Sequence, residues 1–160
     1  MQPSTTGVAA VTDYLDGQGL IFELVEHEPT ITAAAEAAVT HTLEAQVAKT
    51  VVLHDGSRFV IAAVPADRHV DLKKLRALLG AGRGLRLASE DEMDREFPSF
   101  EVGALPPFGP LLAAAEVIDE RLLGEARILC AAGDHRHSVL VDPRAIGALM
   151  DAVTGDVCED

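Results

Sequence analysis

Apolar and polar positions along the chain mix helical and strand periods in short runs. Val8–Leu15 reads as a first helix, stopped by Gly17 and Gly19. Leu20–Glu26 alternates and carries Ile, Phe and Val, the pattern of a half-buried strand. His27-Glu28-Pro29-Thr30 breaks it, and the Thr32 hydroxyl is placed to accept an orphan amide at the start of a helix over Ala33–Val39. Thr42 is a second candidate cap, for a short helix leading into Lys49. Val51–Leu53 and Arg58–Val64 flank His54-Asp55-Gly56-Ser57, and Asp-Gly between apolar runs predicts a hairpin. Asp71 caps a helix with Leu72, Leu75, Leu78 and Leu79 on one face and Gly80 at its C-terminal end. Ser89-Glu90-Asp91-Glu92 matches a capping box for a helix to about Glu96, before Pro98. Arg127–Ala131 and Ser138–Val141 read as late strands, and Pro143 opens a final helix to about Val153. This irregular order, with at least one hairpin, fits a mixed or antiparallel sheet with packed helices better than a doubly wound parallel fold.

Composition narrows the class. The 160 residues, 48% apolar, form a chain of single-domain size that can bury a real core, and exclude a disordered tail. No apolar run approaches the ~18 residues that span a bilayer, and no basic region precedes an apolar stretch as in a signal peptide. With only Cys130 and Cys158, no disulfide framework is expected and the cytoplasm is the expected compartment. The net charge of −13 argues against a generic nucleic-acid binder. Its distribution changes that picture: residues 1–48 carry −7, residues 87–160 carry −11, and residues 49–86 carry +5. The eight bases of this middle segment are Lys49, Arg58, Arg68, Lys73, Lys74, Arg76, Arg83 and Arg86. They read either as a local anion site or as the solvated face of a helix.

There is no GxxxxGK[ST], GxGxxG or GxSxG, so triphosphate hydrolysis, dinucleotide binding and a nucleophile elbow lack support. Three segments carry candidate chemistry. In Val47-Ala48-Lys49-Thr50-Val51-Val52 a lysine sits inside a β-branched run. It either points to solvent or places its ammonium at a pocket mouth, facing a phosphate or a developing negative charge. Gly103-Ala104-Leu105-Pro106-Pro107-Phe108-Gly109 is either a surface turn or a rigid loop whose Gly103 and Ala104 amides face an oxyanion. Gly133-Asp134-His135-Arg136-His137 puts two histidines on one face of an extended segment, as a metal pair, a pocket lining or an exposed turn.

In chain order, these segments resemble the YbaK/prolyl-tRNA synthetase-associated domain family over nearly the whole sequence. His27-Glu28-Pro29 with Thr32 and Glu36-Ala37-Ala38 is similar to its opening strand–loop–helix signature, and Val47-Ala48-Lys49-Thr50 to its lysine segment. Val64-Pro65-Ala66-Asp67-Arg68 with Asp71-Leu72-Lys73-Lys74-Leu75 resembles its strand-to-helix stretch. Leu87-Ala88-Ser89-Glu90 and Glu101-Val102-Gly103-Ala104 with Pro106-Pro107-Phe108-Gly109 complete the set.

The resemblance implies one compact α/β (α+β) domain over residues 1–160, with a mixed, mostly antiparallel sheet or partial barrel and surrounding helices. It implies a freestanding, metal-independent deacylase without cofactor, hydrolysing the ester of a small wrong amino acid, such as Ala or Cys, on tRNA(Pro) or a similar tRNA. The catalytic set would be Lys49, Gly103 and Ala104. The substrate would meet His27, Thr32, Pro65, Asp67, Pro106, Pro107, Phe108, Gly133 and His135, the last chosen over His137. Arg68, Lys73 and Lys74 would meet the tRNA. The implied partners are the 3′ acceptor end of an aminoacyl-tRNA and an aminoacyl-tRNA synthetase, with no membrane. A noncatalytic module of the same fold, binding a nucleotide, an aminoacylated end or a synthetase, is the alternative.

Overall fold

The computed structural model describes residues 7–82 and 84–160; Arg83 of the basic segment lies outside them. The helices are α1 (Gly7–Gly17), α2 (Ala33–Val39), α3 (Leu72–Leu79), α4 (Glu90–Glu96), α5 (Glu120–Leu123) and α6 (Pro143–Leu149). The strands are β1 (Phe22–Glu26), β2 (Val47–His54), β3 (Phe59–Pro65), β4 (Arg86–Leu87), β5 (Ala115–Asp119), β6 (Ile128–Ala131), β7 (His137–Val141) and β8 (Val153–Gly155). They form one open, mostly antiparallel sheet in the order β1-β7-β6-β2-β3-β5-β8, with β4 added against β2. Four pairings are antiparallel, and β2–β6, β3–β5 and β5–β8 are parallel.

Local chemistry sets most of the helix starts. Thr32 accepts the Ala35 amide, Asp71 accepts those of Lys73 and Lys74, and the Ser89–Glu92 capping box forms in both directions. Gly80 ends α3 at φ +64°, a conformation that glycine adopts without a Cβ clash. The β2–β3 hairpin turns at Asp55, whose carboxylate accepts the Ser57 and Arg58 amides. Strand β3 is buried on both faces. Val60, Ala62 and Val64 meet Leu75 of α3, while Ala63 meets the cluster that includes Val11 and Leu15 of α1. Truncating Leu75, which is fully buried, to alanine would cost about 2–5 kcal/mol.

The structure departs from the sequence reading at several elements. Thr42 caps nothing: its hydroxyl is engaged with Thr40 at the end of α2, and the 3₁₀ turn Glu44–Gln46 starts at Leu43 without a side-chain cap. The last helix stops at Leu149 rather than near Val153. Asp151 takes φ +51°, and Val153–Gly155 then pairs in parallel with Val117–Asp119. Neither β5 nor β4 was expected, and β2 begins at Val47, so Lys49 lies within the strand. Cys130 and Cys158 are both buried and unpaired. Among the described residues no helix is long and apolar enough to cross a membrane.

Candidate functional site

A cavity of about 770 Å³ opens where the sheet divides. On one side β2 is fully paired with β3; on the other it meets β6 at Val47–Ala48 and β4 only at Leu53–His54. The hydrogen bonds at the two ends of the hairpin, Ala66 N–H to the Val47 carbonyl and Asp55 N–H to the Arg58 carbonyl, fix which residues face β3. By the alternation of an antiparallel ladder, Lys49, Val51 and Leu53 turn their main chain to β3, while Ala48, Thr50 and Val52 turn theirs away. Ala48 meets β6, and the Val52 carbonyl accepts Ala88 N–H at 2.9 Å. Thr50 falls between, so its amide and carbonyl face the gap that the cavity fills.

Lys49 and Thr50 both line this opening. The Lys49 ammonium donates to the Arg68 carbonyl and has no acidic partner within salt-bridge distance among the described residues. The Thr50 hydroxyl is buried and has no hydrogen-bond partner among them. Opposite elements supply Ile31 and Thr32 from the start of α2, Leu87 of β4, Met93 of α4, and the turn at Gly103–Leu105. Ile31 and Leu87 are large, exposed and apolar, 75% and 56% accessible, and give the rim a greasy character.

Gly103 sits at φ +91°, and a Cβ there would lie 3.3 Å from the His135 ring and from the Ile31 carbonyl. The backbone therefore approaches the histidine as closely as glycine allows. The turn is held from behind: Ala104 N–H donates to the Glu101 carbonyl, Gly133 N–H to the Ala104 carbonyl, and Glu101 N–H to the Gly133 carbonyl. Of the two amides expected to face an oxyanion, that of Ala104 is thus engaged in the turn. Gly103 N–H has no partner among the described residues.

The histidines differ sharply. His137 has the Asp134 carboxylate at 2.9 Å on Nδ1 and Glu26 at 3.6 Å on Nε2. Burial raises the Asp134 carboxyl, but the His137 ring and the Arg136 amide outweigh it and bring it below the usual aspartate range. His135 Nδ1 is buried with no hydrogen-bond partner among the described residues. His27 lines the cavity with both ring nitrogens engaged, Nδ1 with the Glu28 carbonyl at 2.7 Å and Nε2 with Ser138 Oγ at 2.8 Å. Among the described residues no three His, Cys, Asp or Glu side chains converge as a metal ion requires.

The structure brings His27, Thr32, Lys49, Gly103, Ala104 and His135 to one cavity. Pro65, Pro106, Pro107 and Phe108 are buried away from its lining, with Phe108 in the core stacked on Tyr14. Pro-Pro next to Gly reads as an exposed loop, but this segment turns inward and fills space between α1 and the sheet. Gly133 (φ +99°) packs on Gly7 and braces the Gly103 turn rather than lining the cavity. Asp67 is exposed outside it, while Arg68 contributes its carbonyl to Lys49. Lys73 is exposed, whereas Lys74 is held by Asp156, Asp160 and the Cys158 carbonyl. Of the remaining bases, Arg58 pairs with Asp55, Arg86 pairs with Glu92, and Arg76 reaches the Leu85 carbonyl. Sequence reasoning missed Thr50, whose signal is the strand edge left bare beside it, and the buried pair Glu36 and Ser138.

Comparison with solved structures finds the same architecture. One neighbour, a hypothetical protein, is 25% identical over 94% of this chain and 99% of its own, with a TM-score of 0.85. Another, proposed to be a trans-editing enzyme for prolyl-tRNA synthetase, is 26% identical over 100% of this chain and 99% of its own, with a TM-score of 0.84. A comparison with curated protein sequences gives no match. The model of the aminoacyl-tRNA editing domain matches residues 27–148, a span that runs from the ring of His27 through Lys49 and Gly103 to α6. A match over that much of the sequence, with the shared fold, means that the chain belongs to the aminoacyl-tRNA editing domain family.

Proposed function

We propose that this protein is a freestanding deacylase that hydrolyses the ester between a small, wrongly attached amino acid and a tRNA 3′ end, with Ala or Cys on tRNA(Pro) the first candidates. The observation that carries this reading is the Lys49 ammonium, which lines the cavity with a neutral carbonyl as its hydrogen-bond partner and no carboxylate within salt-bridge distance among the described residues. A cation left uncompensated in a partly dry opening stabilises a phosphate or an oxyanion more than it would in water.

The reaction asks little of a side-chain base. Water adds to the ester carbonyl, and the developing oxyanion is met by the Lys49 ammonium or by Gly103 N–H. The carbon–oxygen bond then breaks, and a proton goes to the ribose oxygen, releasing free amino acid and tRNA. The vicinal ribose hydroxyl orients the water, which suits a cavity where the Thr50 hydroxyl and His135 Nδ1 have no partner among the described residues. A volume of about 770 Å³ lies within the ~300–1,000 Å³ of small-molecule sites, so it has room for an aminoacyl group and part of its sugar. Arg68 and Lys73, which have no acidic partner among the described residues, are the bases for the acceptor end; Lys74 is not. The net charge of −13 keeps intrinsic tRNA affinity low and favours help from a synthetase in the cytoplasm, without metal or other cofactor.

The test is deacylation of Ala-tRNA(Pro), Cys-tRNA(Pro) and Ser-tRNA by the purified protein. Release above spontaneous hydrolysis for at least one supports the reading, and none for any substrate overturns it.

A further inference from the structure

The cavity wall contains a hydrogen-bonded string, with His27 and Glu36 on the lining, that the proposed reaction does not use. The Glu36 carboxyl of α2 is bonded to Ser138 Oγ of β7, and that hydroxyl meets His27 Nε2 at 2.8 Å. The far side of the ring, Nδ1, meets the Glu28 carbonyl at 2.7 Å. Glu36 is 5% exposed and Ser138 fully buried, so water does not complete the bond between them.

Proton counting constrains the string. A carbonyl only accepts, so His27 Nδ1 carries a proton toward Glu28. If the ring is neutral, Nε2 must accept the Ser138 proton, and Ser138 Oγ must then accept one from a protonated Glu36. If Glu36 is ionised, it takes the Ser138 proton, and Nε2 must donate to Ser138, which makes the ring an imidazolium. Both placements are electrically neutral overall and satisfy every bond. They interconvert by two concerted proton shifts, carboxyl to hydroxyl and hydroxyl to ring. Removing the shared proton leaves two lone pairs facing each other inside the protein.

We propose that Glu36, Ser138 and His27 form a proton-sharing string that serves as a positioning unit for the cavity, carrying the charge state of a buried carboxyl to its wall. Its effect on turnover rests on the editing reading; the string itself does not. Adjoining main-chain bonds show what it positions: His27 N–H donates to the Arg136 carbonyl and Thr30 N–H to the His135 carbonyl. The segment carrying the string is thereby tied to the turn that presents His135.

Burial pushes the Glu36 carboxyl up to about 7, against the lowering effect of the Ser138 bond, so the shared proton is exchangeable near neutrality. Among the described residues, the other titratable groups around it are the buried Cys130 thiol of β6, the Lys49 ammonium of β2, Glu28 beside the ring, His69 and Glu159 on the cavity lining, and Asp134, His135 and His137 of the β6–β7 turn and β7, with Glu26 of β1 on His137. None of these lies within the string.

The experiment is ¹⁵N NMR of the imidazoles from pH 5 to 9 in the wild type, Glu36→Gln and Ser138→Ala, with His27→Asn to assign the ring. Glutamine mimics the protonated carboxyl as a neutral donor, so Glu36→Gln should hold His27 in the Nδ1–H tautomer and separate its signals from those of the wild type where Glu36 is ionised. Ser138→Ala should uncouple the ring from Glu36. Identical His27 signals in the wild type and Glu36→Gln at every pH would overturn the proposal. If both variants unfold, the wild type still decides: a neutral ring protonated on Nε2 contradicts the string. In deacylation, the pH–rate profile should lose an inflection in Glu36→Gln, and Ser138→Ala should be at least about 10-fold slower. A protein that deacylates nothing removes the editing reading and leaves the NMR result standing.

Discussion

Two polar clusters of this molecule treat their charges in opposite ways. Where β5 meets the C-terminal segment, the fully buried Asp119 accepts Arg121 N–H and Val157 N–H and pairs with the Arg121 guanidinium at 3.1 Å. Arg121 also holds Asp156, and Lys74 ties Asp156 and Asp160 together. Every charge there is spent on a neighbour. At the cavity, among the described residues, Lys49 has only a neutral carbonyl, and the Thr50 hydroxyl and His135 Nδ1 have no partner. Buried polar groups are normally satisfied, so the first cluster reads as a clasp, and the second is where we propose that the ester binds. The basic middle segment divides along this line, with Lys74 in the clasp and Lys49 in the site.

The sharpest break in the comparison is removal of the unspent charge. Lys49→Ala should lower deacylation by about 10²–10³-fold, the worth of one oxyanion donor, with little change in Tm. Single-turnover kinetics and circular dichroism melts would measure the two effects. The clasp should respond in the reverse sense. Asp119→Ala leaves the Val157 amide unpaired and the Arg121 guanidinium with Asp156 alone, and should cost about 3 kcal/mol in urea denaturation. If it costs nothing, the clasp holds nothing.

The buried Glu36 gives a pH-dependent version of the contrast. A carboxyl held above its ordinary value of 4.5 keeps its proton in the folded chain after the unfolded chain has lost it. Its contribution is therefore complete below about 4.5 and is lost as pH rises to about 7, on the order of 3 kcal/mol in all. Glu36→Gln should flatten this part of the stability–pH curve. The clasp moves the other way. Hydrogen bonds from Arg121 and Lys74 hold Asp156 well below the usual aspartate range, so its contribution persists above that range and is lost only in strong acid. The smallest expected effect is at the turn. Gly103→Ala places a Cβ at φ +91° against the His135 ring and should cost about 1–2 kcal/mol.

What the sequence made legible was local. Asp71, Ser89 and Thr32 cap their helices because a hydroxyl or carboxylate needs only the next few amides, and Asp55-Gly56 turns the hairpin for the same reason. Strand β5 was hidden because it is buried through four of its five residues, with Glu116 and Asp119 inside, so it shows no alternation. Strand β8 is three residues long and exists through its pairing with β5, a contact between distant segments. The same divide runs through the site. Lys49 stands out as a charge in an apolar run, and Gly103 as a glycine before two prolines. Thr50 matters because β6 and β4 part on either side of it, which no single segment reveals. Pro106, Pro107 and Phe108 misled because loop-forming residues carry no mark of facing inward.

Single-turnover hydrolysis of Ala-tRNA(Pro) by wild type and Lys49→Ala decides whether the ammonium in the sheet's opening drives ester cleavage, as we propose. Release should run well above the spontaneous rate for the wild type and fall by at least about 100-fold in the variant. Equal rates for the two proteins would contradict it.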